Sequence, residues 1–293
     1  MFYSTSHKRL AFLSSLICLP AAFLLLFSDL PLISLLLAFL ILALFWLSVF
    51  DFKLGFLAII FLRPFLDLSV NNIIFTFGIL QVNVLSLLGM VMIVLALLFV
   101  VFIGSDWRFL KKMPSFYAWM LFLFLGLLSI FNSFYPAESL KEILRFISIF
   151  SAFIFGALLL PKAKDMTVLI KVIIFSALAP AILAFFQLIN KTGLPENDIY
   201  RVFGSMTHPN MLAFYLLLSI TLSVFLVLNL KKTRLEVYLY SLLSLFYTFI
   251  LFFTYTRGAY LALIMIFAVV GFAKFKKFLL VAFLAMLFVY AIF

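Results

Sequence analysis

The chain has 293 residues, of which 68% are apolar, 42 are Phe and only 11% are charged, with a mean hydropathy of +1.35. Soluble domains average about 45–50% apolar and 25% charged residues, so a water-soluble fold is excluded. The net charge of +11 raises nucleic acid as a partner, but its distribution along the chain assigns it to topology instead.

The apolar runs are continuous and about 16–22 residues long, which is helix length for a hydrocarbon core of about 30 Å. They lack the alternation of β-barrel strands. The expected class is therefore all-α: a polytopic integral membrane protein with about 11 transmembrane helices, residues 1–293 forming a single transmembrane domain. In chain order the expected spans lie near 10–27, 32–50, 54–66, 82–103, 115–131, 140–160, 166–188, 209–230, 236–254, 258–273 and 278–293. The first follows His7-Lys8-Arg9 and has no Ala-x-Ala-like cleavage site after it, so it reads as an uncleaved span rather than a secretory signal. Cys18 lies inside it and has no intrachain partner. The third span is brief and ends at Arg63-Pro64, with residues 68–81 expected to lie along the interface or to re-enter. The longest polar connection is 189–208. The sequence stops at Phe293 within an apolar run, an ending expected of a C-terminally truncated chain.

One set of polar breaks (around 8–9, 51–53, 104–114, 161–165, 231–236 and 274–277) carries 14 Lys or Arg and four acids, and with Lys171 accounts for the whole excess of +11. The intervening breaks hold six Lys or Arg and six acids. The positive-inside rule places the first set and the N-terminus in the cytoplasm. Of the 14 inner loop cations 11 are Lys, whereas four of the six outer ones are Arg: Arg63, Arg145, Arg201 and Arg257. Arg offers a planar fork of donors matched to phosphate oxygens, while Lys is a flexible, strongly hydrated point charge.

Phosphate-loop, HExxH, GxSxG and paired-Cys signatures are missing. His7 and His208 fall on opposite sides of the expected membrane, so a two-His metal site is not expected, nor is a metal or cofactor of any kind. Arg145 can pair with Glu142 three residues before it, and Arg63 with Asp67 four after it. Arg201 opens Arg-Val-Phe-Gly-Ser-Met-Thr-His-Pro-Asn, which leads into a helix whose first turn suits Pro209. Thr207 or His208 can cap that helix, and His208 can alternatively serve as a general base. Glu196 and Asp198 are the acids of the same loop. Arg257 lies in Thr254-Tyr-Thr-Arg-Gly258, a tight turn before another helix. Both segments bring an Arg and hydroxyls to a helix N-terminus, where unpaired N–H groups and the dipole favour an anion. Arg201 and Arg257 are the candidate phosphate-binding pair, supported by Arg145, Arg63, His208, Asn210 and Thr256.

The pair formed by Arg201-Val-Phe-Gly-Ser-Met-Thr-His-Pro-Asn-Met-Leu-Ala213 and Thr254-Tyr-Thr-Arg-Gly-Ala259 resembles the O-antigen ligase and Wzy-type polymerase superfamily of bacterial membrane glycosyltransferases. Arg63-Pro64 and Ser139-Leu-Lys-Glu-Ile-Leu-Arg145 look like it too. The resemblance implies a GT-C-like helical fold in the bacterial plasma membrane. It implies transfer of a glycan from an undecaprenyl-pyrophosphate carrier, on the outer face, to a lipid A core or a growing glycan, without a nucleotide sugar or catalytic metal. By the resemblance, Arg201 and Arg257 match the arginines thought to hold the donor pyrophosphate, and Arg145 and Arg63 match weaker positions. Family members are longer, with a large periplasmic loop bearing a His proposed to activate the acceptor; His208 does not match that residue. Membrane lipids are the other expected contacts, and nucleic acid is not expected. The alternatives are a transporter or flippase of a lipid-linked saccharide and an inactive or scaffold subunit of an envelope complex.

Overall fold

The computed structural model describes residues 32–69, 73–77, 80–101, 115–196, 199–229 and 233–273. The chain is mostly helical, with nine helices among the described residues: α1 (Leu32–Phe50), α2 (Phe52–Leu66), α3 (Val84–Phe99), α4 (Phe116–Ser129), α5 (Pro136–Leu159), α6 (Ala163–Asn190), α7 (Pro209–Asn229), α8 (Arg234–Phe252) and α9 (Arg257–Ala273). Within α6 the segments Ala163–Ser176 and Leu178–Asn190 meet at Ala177, just before Pro180, whose ring removes a helical hydrogen bond.

Among the described residues four helices, α5, α6, α7 and α8, are long and apolar enough to cross a membrane, with 24, 28, 21 and 19 residues. By length and composition these are the helices of a multi-pass membrane protein. The expected count of about 11, and the GT-C-like bundle that goes with it, is overturned by this finding. Apolar run length and helix length part company at the run ends. The run expected at 82–103 starts its helix only at Val84, because Leu80–Asn83 is a strand and Asn83 caps the helix by accepting from the Ser86 N–H at 2.9 Å; Val84–Phe99 passes into π-helical residues 100–101, and 102–103 lie outside the described residues. The run at 115–131 turns into a 3₁₀ segment after Ser129. The brief α2 has 15 residues and contains Pro64. Helices of about 15 residues extend only about 23 Å, short of a bilayer core. The expected spans 10–27 and 278–293 lie outside the described residues.

The mostly helical structure bears out the all-α expectation, and two short antiparallel hairpins lie among the helices. The pairing of β1 (Ile73–Phe77) with β2 (Leu80–Asn83) sets Phe77 opposite Leu80 and Ile73 opposite Asn83, with an irregularity between Ile73 and Phe75. That of β3 (Leu194–Glu196) with β4 (Ile199–Arg201) sets Leu194 opposite Arg201 and Glu196 opposite Ile199. The first hairpin occupies the stretch expected to lie along the interface or re-enter. Its β-branched and aromatic residues favour strand geometry once the run is too short for a helix.

The chain divides into two compact units. The first, residues 1–60 and 69–169, packs α1 on α3 and α3 on α5 around an aromatic cluster. Phe155 lies 6.2, 5.8 and 5.8 Å, centroid to centroid, from Phe52, Phe56 and Phe99. Lys53 pairs with Asp165 in this unit.

The second unit, residues 61–68 and 170–293, is centred on α7, which packs on both α8 and α9. Its core contains Leu212, Ala213, Leu216 and Ile220 of α7, Tyr247 and Ile250 of α8 and Ala259 of α9, all buried. Polar groups inside are matched. The buried Tyr247 hydroxyl donates to the Ile174 carbonyl at 2.7 Å, and Tyr215 shares a hydrogen bond with Ser176 at 2.5 Å. The Ile174 carbonyl and Ser176 border the break at Ala177, so side chains of α8 and α7 supply hydrogen bonds where α6 is interrupted.

Candidate anion-binding site

Arg201, Arg257, His208, Asn210, Thr256 and Arg63 all belong to the second unit. Their placement starts with α6. Its last turn ends at Lys191, held in the left-handed conformation with φ 53°, and β3–β4 follows. The segment after β4 is then fastened on three sides. Gln187 of α6 accepts from the N–H groups of Phe203 and Gly204 at 3.0 and 2.8 Å and donates to the Gly204 carbonyl at 3.0 Å. The Val202 N–H donates to the Phe253 carbonyl at the end of α8 (3.1 Å), and the buried Ser205 hydroxyl donates to the Pro64 carbonyl at 2.7 Å. Gly204 has φ +59°, a conformation that suits glycine.

This fastening delivers Arg201 with its guanidinium fully oriented. Nε donates to the Thr254 carbonyl (2.9 Å), Nη2 to Asn210 Oδ1 (2.9 Å) and Nη1 to Glu196 Oε2 (2.6 Å). The side chain is only 14% exposed, against 55% for Glu196. Three of five guanidinium N–H groups are thereby used. Asn210 Oδ1 also accepts from the Thr256 hydroxyl at 3.1 Å, so one amide oxygen joins the start of α7 to the start of α9. The His208 carbonyl accepts from Met211 and Leu212, and the Thr256 carbonyl from Ala259 and Tyr260, which makes these two residues the N-caps of α7 and α9. Arg257 is then the first residue of α9 and is exposed, and the preceding Tyr255 takes a left-handed backbone with φ 50°. Non-glycine residues in that region are uncommon and cluster at functional sites.

His208 caps with its side chain as well: Nδ1 accepts from the Asn210 N–H at 3.1 Å. Removing it should cost about 1 kcal/mol in stability, a typical capping loss. In an assay of the glycan transfer that the sequence resemblance implies, His208→Ala is expected to stay within about threefold of the unsubstituted chain, whereas loss of a general base costs about 10²–10⁴-fold. A fall of that size would make His208 chemical rather than structural.

Glu196 is the carboxylate that meets Arg201. The hydrogen bond and charge of Arg201 hold its pKa below the usual carboxylate range, helped by the nearby His208 and Arg257 and opposed by partial desolvation. A lowered native pKa means the ion pair persists at neutral pH and is lost as pH falls through that lowered value. Asp198, the other acid of the loop, lies outside the described residues.

Arg63 pairs with Asp67, and its neighbour Pro64 accepts the Ser205 bond, so this Arg–Pro step is tied to the segment that precedes α7. Arg145 lies in the first unit, 69% exposed, with Nη1 on Glu142 Oε2 at 2.8 Å. Both local ion pairs foreseen in the sequence are formed. The sequence reading passed over Gln187. Its signal was a lone amide inside the apolar run of α6, where each amide N–H and oxygen needs a protein partner. Among the described residues no group of three or more His, Cys, Asp or Glu could hold a metal ion. Comparison with known proteins yields no matching family model, no matching curated protein and no matching solved structure.

Proposed function

We propose that this chain is a membrane glycosyltransferase of the bacterial plasma membrane. It moves a glycan from an undecaprenyl-pyrophosphate carrier to a saccharide acceptor, a lipid A core or a growing glycan, on the outer face. The observation that carries the reading is the joining of two helix N-termini through Asn210, with Arg201 oriented beside them and Arg257 opening α9. Helix N-termini favour anions through their unpaired N–H groups and their dipole, and guanidinium adds charge-assisted hydrogen bonds.

In such a transfer the acceptor hydroxyl attacks the anomeric carbon with inversion and loses its proton to solvent. The carbon–oxygen bond to the carrier breaks, and the pyrophosphate leaves with the bonding pair. Donors fixed in advance around that leaving group stabilise the charge as it develops. Neither a nucleotide nor a metal ion is required by this chemistry.

A second reading is favoured by the engagement of Nε, Nη1 and Nη2 of Arg201 with protein acceptors: the cluster would then be a structural staple of a scaffold subunit. Reconstitution of the purified chain in liposomes with an undecaprenyl-pyrophosphate-linked oligosaccharide and an acceptor glycan separates the readings. Glycan covalently attached to the acceptor supports the transferase. Donor moved across the bilayer without attachment identifies a flippase, and neither outcome leaves the scaffold.

A further inference from the structure

Resting on the anion-site reading above, we infer that Glu196 is a built-in competitor at Arg201 that makes the site selective for a pyrophosphate over the singly charged phosphodiesters of bulk lipid. The hairpin register produces the contact. With Leu194 opposite Arg201 and Glu196 opposite Ile199, Glu196 and Arg201 are diagonal neighbours on one face of the β3–β4 ladder, within reach for long side chains. The carboxylate oxygen meets Nη1 at 2.6 Å. The other two guanidinium nitrogens stay fixed on Thr254 and Asn210, so Arg201 keeps its orientation when Glu196 departs. Glu196 itself is half exposed and can swing into solvent.

The groups facing this carboxylate are Arg201 on its own hairpin, His208 at the start of α7 and Arg257 at the start of α9. Without Glu196, an Arg201 beside two helix ends and set in a membrane would be occupied by whichever phosphate is most abundant. A phosphodiester headgroup and a carboxylate each carry one negative charge and offer two oxygens, so exchanging one for the other gains little. A pyrophosphate diester carries two charges spread over neighbouring phosphates. It can meet Arg201 and the α9 end together, and so displaces Glu196.

The test uses the full chain in phosphatidylcholine nanodiscs, titrated with inorganic pyrophosphate and read by calorimetry, for the native protein and Glu196→Gln. The variant is expected to bind pyrophosphate about tenfold more tightly, the worth of one charge-assisted hydrogen bond no longer competing. Adding phosphatidylglycerol to the discs should weaken pyrophosphate binding to the variant severalfold and leave the native value within about twofold. Glu196→Asp, which keeps the charge but withdraws the carboxylate by one methylene, should shift affinity in the same direction and serves if the Gln variant does not fold. Equal or weaker binding by a folded variant, with native binding intact, overturns the role of Glu196 and leaves the anion site standing. Binding of pyrophosphate by neither protein removes the anion site and this inference with it.

Discussion

Replacing Arg257 with alanine is expected to lower the turnover of reconstituted glycan transfer by about 10²–10³-fold, the usual consequence of deleting one preorganised donor from a site of developing negative charge. The residue opens α9, follows the Thr256 cap and is exposed, so its charge lies where the helix dipole already favours an anion. Arg201→Lys should also be costly despite unchanged charge. An ammonium on a flexible stem cannot reproduce three directed contacts to Thr254, Asn210 and Glu196 at once. Turnover is read with donor saturating and again with donor limiting. A loss confined to limiting donor would mean that Arg257 binds the ground state and the transition state equally. Native turnover in both regimes for Arg257→Ala would remove the residue from the chemistry.

The helices of the second unit were the most legible part of the sequence. The runs expected at 209–230 and 258–273 fold as Pro209–Asn229 and Arg257–Ala273, because Pro209 and the Thr256–Arg257 turn mark their starts unambiguously. Where the polar signal was weak, run length misled. The helix Phe116–Ser129 gives way to a 3₁₀ turn and Val84–Phe99 starts inside its apolar stretch, since an apolar residue is equally content in a strand, a 3₁₀ turn or a helix end. The hairpins were hidden for a related reason: each strand has only three to five residues, too few for period-2 alternation to stand out.

The same limit governs the site. Arg201, Arg257, Asn210 and Thr256 could be grouped from sequence because helix starts advertise themselves. The Glu196–Arg201 pair could not, because a separation of five residues is not a helical contact and becomes one only through the register of β3–β4. Gln187 lay 16 residues from Phe203 in another element, and nothing local indicates such a partner.

The backbone that aims Arg201 should be the most fragile part of this arrangement, and Gly204→Ala tests it. At φ +59° a side chain is strained to begin with, by about 1–2 kcal/mol. An added Cβ would also stand 2.2 Å from the Pro180 carbonyl oxygen and 3.0 Å from its carbon, atoms of a helix backbone with no rotamer to relieve the clash. The loop must then lift away from α6, which breaks the three hydrogen bonds of Gln187. Since Arg201 precedes this anchor by three residues and the α7 cap follows it by four, both ends of the site shift together. The expected result is a destabilisation of about 3 kcal/mol or more, with pyrophosphate affinity and transfer both lost. Gln187→Glu provides the graded comparison. It keeps the oxygen that accepts from Phe203 and Gly204 but turns the donor toward the Gly204 carbonyl into a second acceptor, at a cost of about 1–3 kcal/mol. Thermal unfolding in detergent, followed for both variants beside pyrophosphate titration, reads the order directly. If Gly204→Ala unfolds at the native temperature and binds pyrophosphate normally, the loop does not position Arg201 and the orientation of that guanidinium must be sought in its own three contacts.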